Sequence, residues 1–416
     1  MTQSTKHSFL LIIFPFLLFG QAEEVIAPDY IKTVVFTGKT PESQLPIIKL
    51  GDRIVLTFDA LNGNEDDFYY KIEHFDFDWK PSNLSKAEYM VGYDNNRIRH
   101  YENSFNTFQI YSHYNLTIPN ERTRGLIKSG NYMLQIFDDY DELVFSRKFM
   151  IYENQADVGV IVRRSRDVKY YDEKHTIDLA ISSSSILFNN PVETVKTLIV
   201  QNNNLNTAIS NLKPQYTLGN ELIYKYTSES SFWAGNEYLN FENKDIRGAN
   251  VSIEFIELED LYNNFLFTDI VRANRPYTFN PDINGNFVIT AIDTERPWIE
   301  ADYVWMHFSL LAEESIMNKN IYVYGNFNNY GLTEANKMHY NDARGVYEAQ
   351  ILLKQGFYSY KYVLKDEDNK LQEGAISGNF HQTDNNYKVL VYYRDLGARY
   401  DRLIGIGEAN SINIAN

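Results

Sequence analysis

The segment IYVYGNFNNYG, residues 321–331, decides the fold expected for this chain. Its first four residues are apolar or aromatic and suit a strand, because branched and aromatic side chains pack well on a pleated surface. The Asn and Gly residues that follow indicate a turn. Two similar segments come next, GVYEAQILLKQGFYSYKYVL at 345–364 and TDNNYKVLVYY at 383–393. We therefore expect a β-sandwich over residues 318–394.

The rest of the chain has the same character. Short alternating segments such as RIVLTFDAL and NYMLQIFD are separated by turn residues at spacings of roughly 10–20 residues, which suits antiparallel sandwiches. We expect an all-β protein of tandem immunoglobulin-like or early-set antiparallel β-sandwich domains. The expected divisions are an N-terminal sandwich at 31–153, a β-rich middle domain at 154–312, the C-terminal sandwich at 318–394 and a tail at 395–416.

One hairpin is predicted within the middle domain. Asn284 and Gly285 form a dipeptide typical of a type I′ turn. The apolar segments on either side, Tyr277–Phe279 and Phe287–Thr290, are its expected strands.

The N-terminus has the layout of a secretory signal. Lys6 supplies a positive charge, and Phe9 to Phe19 form an apolar run too short to span a bilayer. Gly20 and Ala22 are the small residues expected before a cleavage site, so we expect residues 1–22 to be a signal peptide cleaved after Ala22. This predicts an exported protein that does not insert directly into a membrane.

Composition excludes several functions. The formal net charge is −16 and no cluster of Lys and Arg occurs, which argues against nucleic acid as a partner. Cysteine is absent, so disulfides and attachment of lipid through cysteine are excluded. The acidic residues are spread along the chain, as on a solvated surface.

Catalytic and metal-binding patterns are weak. In HFDFDW, His74, Asp76 and Asp78 alternate with aromatic residues and would share one face of a strand. That face is better explained as the solvated side of the strand than as a metal site, because no ion-binding loop accompanies it. The sequence shows no HExxH, no GxSxG and no phosphate-binding Gly loop. We predict no catalytic, metal-binding or cofactor-binding residues and no enzyme activity.

The segments of the C-terminal sandwich together resemble the early-set domains that bind starch and glycogen. The resemblance places Tyr330 where a first Trp stacks on sugar, Lys361 at the strand lysine, and Asn385 or Asn386 at the sugar-binding asparagine. The second platform Trp is missing, and only Leu371 lies in that region. Tyr330, Lys361 and Asn386 thus form at most a degenerate glycan platform, and glycan is an unfavoured partner.

Longer segments, in order, resemble the plug proteins of the type IX secretion system of Bacteroidetes. The match extends over nearly all of the chain that follows the signal. The resemblance implies a non-catalytic periplasmic protein, peripheral to the outer membrane, that occludes the periplasmic end of a giant outer-membrane β-barrel translocon when no cargo is engaged. The alternative is a periplasmic or surface carbohydrate-binding protein. The matching segments are YYKIEHFDFDWKPSNLSKAEYMVG, SFNTFQIYSHYNLTIPNE, PYTFNPDINGNFVI, EADYVWMHFSL, YVYGNFNNYG, LLKQGFYSYKYVL and GNFHQTDNNYKVLVYYRDLGARYDRLIG.

Overall fold

A computed structural model describes residues 21–38, 44–292, 294–366, 370–412 and 414. Strands account for 47% of the residues and helices for 7%, so the expected mostly β fold is confirmed. Among the described residues, no helix is long and apolar enough to cross a membrane. The predicted signal peptide lies outside the described residues except for residues 21 and 22.

The first sandwich consists of two sheets, with strand orders β1-β3-β8-β7 and β2-β11-β10-β4-β6. Their inner faces meet in an aromatic core, where the Phe58 ring stacks on Tyr114 at 5.1 Å and meets Phe145 edge-on at 5.2 Å. The elements are β1 Ile31–Thr37, β2 Ile47–Lys49, β3 Ile54–Ala60, β4 Tyr69–Phe75, α1 Lys86–Tyr89, β5 Met90–Gly92, β6 Asn96–Arg97, β7 His100–Asn103, β8 Ser112–Ile118, β9 Thr123–Leu126, β10 Gly130–Phe137 and β11 Leu143–Tyr152.

The chain then begins a second sandwich, of which residues 157–233 supply the larger part. One sheet has the order β12-β13-β17-β16, with β18 also paired to β13. The elements are β12 Asp157–Arg164, a 3-10 turn Val168–Tyr170, β13 Lys174–Ser182, α2 Pro191–Thr194, β14 Val195–Gln201, β15 Asn204–Ser210, β16 Tyr216–Leu218, β17 Glu221–Tyr224 and β18 Ser231–Trp233.

Residues 239–377 form a third pair of sheets, which is inserted in the chain before the second sandwich is complete. Its sheets are β20-β21-β23-β26-β25 and β19-β27-β22, with β24 and β28 also paired to β27. The elements are β19 Leu239–Glu242, β20 Ile253–Leu258, β21 Tyr262–Leu266, β22 Phe287–Ile289, α3 Pro297–Glu300, β23 Tyr303–Leu311, β24 Asn320–Tyr324, β25 His339–Asn341, β26 Val346–Lys354, β27 Gly356–Lys365, β28 Leu371–Gln372 and α4 Gly374–Ser377, with 3-10 turns Glu314–Ile316, Asn326–Asn328 and Glu334–Asn336.

Two last strands return to the second sandwich. They are β29 Asn386–Tyr393 and β30 Arg402–Asn410, which complete a sheet of order β15-β14-β29-β30. Val389 and Ile404 from these strands share a buried core with Ile177 and Leu179 of β13. We call residues 31–152 the first unit, residues 157–233 with 386–410 the middle unit, and residues 239–377 the inserted unit.

This pairing differs from the grouping expected from sequence. The segment 386–393 was expected in one sandwich with residues 318–365, but it pairs along its length with residues 195–201. Residues 395–416, expected as a tail, contain β30, which pairs with β29. The sequence could not reveal this because strands of similar composition fit many partners. The number of independently folding domains, and the immunoglobulin-like or early-set classification, stay predictions.

A sharp change of sheet occurs within the segment 345–364. Strand β26 lies in one sheet of the inserted unit and β27 in the other, with only Gln355 between them. A Cβ atom on Gly356 would lie 2.4 Å from the carbonyl oxygen of Val288, so glycine is needed for this close approach.

The predicted hairpin at Asn284-Gly285 is half right. Both residues have positive φ, 55° and 79°, as a type I′ turn requires. However, β22 pairs with β27 and not with Tyr277–Phe279, which forms no strand. The sequence of the turn itself predicted the positive φ angles, but the strand that pairs with β22 lies elsewhere in the chain.

Candidate functional site

Tyr330, the predicted sugar platform, is buried. Its side chain is 4% exposed, and its ring packs against Tyr324 with centroids 5.1 Å apart. Burial raises the pKa of the Tyr330 hydroxyl well above its usual value, so the hydroxyl stays protonated. A stacking platform needs an open ring face, and Tyr330 offers none in this structure.

Lys361 and Asn386 lie near Tyr330, but the three do not form an open surface. The Lys361 ammonium is 5.7 Å from the centroid of the Tyr324 ring that packs on Tyr330, and the Tyr330 hydroxyl and the Asn386 N–H both donate to Asn202. Lys361 is buried on β27, where it forms an ion pair with Glu373 and lies 4.8 Å from the Tyr238 ring centroid. Asn386 is exposed but begins β29, in the middle unit. The degenerate platform therefore gains no support, although glycan binding itself stays untested.

The HFDFDW segment joins two units. Strand β4 ends at Phe75, so His74, Asp76 and Asp78 do not share a strand face as we had considered. Asp76 forms an ion pair with Arg394 at 2.5 Å and accepts the backbone N–H of Asp401 at 3.0 Å. The Asp401 carboxylate accepts the backbone N–H of Phe77 at 3.0 Å. The turn after β4 therefore docks the first unit onto the β29–β30 loop.

The His74 side chain is a buried, hydrogen-bonded part of the first unit. It is 3% exposed, and its Nε2 donates to the Ser129 carbonyl at 3.1 Å while Nδ1 lies 2.7 Å from the Ser82 hydroxyl. Burial lowers the pKa of His74, so the ring is neutral at neutral pH. Within the part of the chain that the structure describes, no three His, Cys, Asp or Glu side chains are grouped so that they could hold a metal ion.

A buried polar network links the first unit to the inserted unit. Lys354, at the end of β26, donates from Nζ to Oδ2 of Asp59 on β3 at 2.7 Å. The Tyr303 hydroxyl donates to the same Asp59 oxygen at 2.6 Å, and His113 Nδ1 lies 2.6 Å from the other. Asp59, Tyr303 and Lys354 are each at most 1% exposed. The network is thus an internal connection between units.

Electrostatics keep the network charged. Burial opposes ionisation of Asp59, but Lys354 and His113 outweigh it and hold the pKa of Asp59 below its usual value. Burial lowers the pKa of the Lys354 ammonium, and Asp59 partly offsets that effect. Removing either partner would leave the other charge buried and unpaired, which is costly.

Sequence reasoning missed both inter-unit networks. Two signals were available, an Asp inside the apolar strand segment RIVLTFDAL and a Lys inside ILLKQG. A charge in an apolar strand needs a buried partner. Asp59 and Lys354 are partners 295 positions apart in the chain, and no local sequence pattern reveals such a pair.

A cleft of about 940 Å³ lies beside this network, between the first and inserted units. Its walls mix the apolar Val288 and Trp298 with the polar Thr57, Arg99 and Asn115. The volume is that of a small-molecule site. The lining also includes His113 and Lys354 of the buried network.

Taken together, the structure defines a mostly β protein whose units are joined by buried contacts. A family model described as the first domain of the type 9 secretion system plug protein matches residues 31–153. Residues 31–153 therefore belong to the type 9 secretion system plug protein family, as its first domain.

The chain is also similar to solved structures. A hypothetical protein from Parabacteroides merdae is 32% identical, with a TM-score of 0.89, and the match covers 94% of this chain and 99% of that one. A marsupial T cell receptor (9% identity, 92% and 100% covered, TM-score 0.16) and the collagen adhesin of S. aureus (8%, 91% and 94%, 0.11) are too dissimilar to inform the fold. A comparison with curated proteins finds no match.

Proposed function

We propose that the protein is a non-catalytic periplasmic plug. It occludes the periplasmic end of the large outer-membrane β-barrel translocon of the type IX secretion system when no cargo is engaged. The match of residues 31–153 to the first domain of the plug protein family is the observation that carries this proposal. The protein acts at the periplasmic side of the outer membrane, with the translocon barrel as its partner.

The way in which the units are joined supports a steric role. The first unit is tied to the inserted unit by the Asp59–Lys354 pair and to the middle unit by the Asp76–Arg394 pair. The Tyr392 hydroxyl also donates to Asn131 Oδ1 at 2.6 Å, inside an apolar contact between the first and middle units. A stopper must resist deformation, and units joined by buried contacts do so better than units on free linkers.

Plugging must also be reversible. Cargo or a cargo-carrying protein can displace the plug only if both compete for the same surface of the barrel. Affinity therefore has to be high enough to seal and low enough to allow exchange.

The test uses the tagged full-length protein and outer membranes solubilised so that the barrel stays intact. We expect the protein to recover a very large β-barrel, identified by mass spectrometry. Addition of the protein to the periplasmic side of the purified barrel in a planar bilayer should lower its ion conductance. Recovery of the protein only as a free monomer, with unchanged conductance, would reject the proposal.

A further inference from the structure

The loop between β7 and β8 exposes three apolar side chains within six residues. Phe105, Phe108 and Ile110 are 67%, 56% and 63% exposed. We call these three side chains the apolar loop patch. Single exposed apolar residues are ordinary, but a cluster of large ones on one loop is typical of a protein contact surface.

The loop is held in place by the inserted unit. Asp302, which is buried just before β23, accepts the backbone N–H groups of Phe108 at 2.7 Å and Gln109 at 3.1 Å. The backbone N–H of Phe105 donates to the Ile299 carbonyl at 2.9 Å. These bonds fix the backbone while two of the three side chains, Phe105 and Ile110, stay largely in solvent. A preordered loop loses little conformational entropy on binding, which favours affinity.

Contacts within the protein bury only part of the three side chains of the apolar loop patch. The Phe108 ring meets Tyr262 edge-on at 5.5 Å, so this residue also contributes to the contact between units. Ile110 lies close to Gly63, at which a Cβ atom would be 2.8 Å from Ile110 Cγ2. More than half of each side chain nevertheless remains accessible, and that exposed area is not explained by the fold.

The surroundings of the patch are acidic. The β20–β21 turn, which leads directly into Tyr262, carries the exposed residues Glu259 and Asp260, and the exposed Glu257 lies near the end of β20. In the described part of the chain none of these three carboxylates is in an ion pair. Glu65, two residues after the Gly63 that Ile110 approaches, is also exposed. An anionic lipid surface would be repelled by this rim, whereas a protein surface bordered by Lys and Arg would be attracted.

We propose that the apolar loop patch is where the protein contacts the translocon barrel. Its occupant is a periplasmic-facing protein surface with an apolar recess bordered by basic side chains. This inference rests on the proposed plug function and adds the surface that carries it.

The experiment compares two double variants of the full-length protein. F105D/I110D places two charges in the patch at positions with little internal contact. V168D/Y140D makes the same kind of change at side chains that are 90% and 81% exposed elsewhere on the surface. Far-ultraviolet circular dichroism and thermal melting establish that both fold. Binding to the purified barrel in detergent is then measured by biolayer interferometry.

We expect F105D/I110D to weaken binding at least about tenfold and V168D/Y140D to leave it within about twofold of the unchanged protein. E259K/D260K should slow association, most strongly at low salt, because it removes long-range attraction to a basic rim.

The outcomes separate the inference from the proposed function. If the unchanged protein does not bind the barrel, both fail. If it binds and F105D/I110D binds equally well, the patch is rejected while the plug function stands. Self-association that F105D/I110D abolishes would show that the patch binds a second copy of the chain. Binding to vesicles of phosphatidylglycerol and phosphatidylethanolamine would show that it binds a lipid surface. Either result would overturn the inference.

Discussion

At the residue scale, burial controls the protonation of His175 in the middle unit. His175 on β13 is completely buried, and its Nε2 donates to the His381 carbonyl at 2.8 Å while Nδ1 lies 2.9 Å from the Tyr387 hydroxyl. Because water is excluded, burial lowers the pKa of His175 to about 4. The neutral ring therefore connects β13 to the segment that leads into β29.

This pKa shift predicts a loss of stability in acid. Between the ordinary histidine pKa and the lowered one, the unfolded chain binds a proton that the folded protein does not. The free energy of unfolding should therefore fall by about 2–3 kcal/mol through this site as pH drops from 7 to 4.5. H175Q should show a correspondingly weaker pH dependence in urea denaturation.

The control is T176V, which changes a neighbouring buried polar side chain that does not titrate. It should keep the pH dependence of the unchanged protein. An H175Q protein that loses as much stability in acid as T176V does would contradict the assignment.

At the scale of elements, β30 turns an expected tail into part of a core. Its sequence RLIGIGEAN carries glycines at 405 and 407. Gly407 faces the backbone of β12 in the opposite sheet, and Gly405 faces the backbone of Ala156 just before β12. A Cβ atom on Gly407 would lie 2.4 Å from the Val158 carbonyl oxygen. The glycines allow β30 to approach β12 more closely than strands with side chains could.

Substitution G407A should therefore destabilise the protein by about 1–3 kcal/mol, because the added methyl group overlaps a backbone atom that cannot move away easily. Thermal unfolding followed by circular dichroism measures the effect. G125A on β9 is the matched control, since no atom lies within 4 Å of the added Cβ and its φ is not positive. We expect G125A to be neutral or slightly stabilising. Equal melting temperatures for the two variants would show that β12 and β30 are not closely packed.

At the scale of the whole molecule, buried charges join units that are distant in sequence. The Asp59–Lys354 pair lies between β3 and β26, alongside the apolar contact of Tyr111, Tyr303 and Leu352. The same two units hold the apolar loop patch, because the loop belongs to one and Asp302 to the other.

Removing Lys354 should weaken this junction strongly. K354A leaves the Asp59 carboxylate buried without its ammonium partner, and we expect a loss of about 3–5 kcal/mol in the free energy of unfolding. The double variant D59N/K354M removes both charges and should recover much of that loss. Urea denaturation measures all three proteins.

R344A is the comparison for an exposed pair. Arg344 pairs with Glu348 at the surface, where water screens the charges, so its loss should cost less than about 1 kcal/mol. If K354A is no more destabilising than R344A, the buried pair does not hold the units together.

Strands and turns could be predicted from the sequence because they depend on short-range properties. Aromatic and branched residues at alternating positions predict strands, and Asn284 with Gly285 predicts a turn with positive φ. These properties depend on a residue and its immediate neighbours. The predicted glycan platform depends on tertiary context, because Tyr330 lies buried in the turn after β24 while Asn386 begins β29 of another unit.

The sequence by itself determined the mostly β character, the acidic surface charge, the lack of cysteine and the resemblance to the plug family. Only the tertiary structure decided that β29 pairs with β14, that Tyr330 is buried, and that Asp302 of one unit holds the apolar loop of another. The physical reason is that strand propensity is a local property, whereas pairing, burial and the meeting of charges depend on which distant segments share an interface.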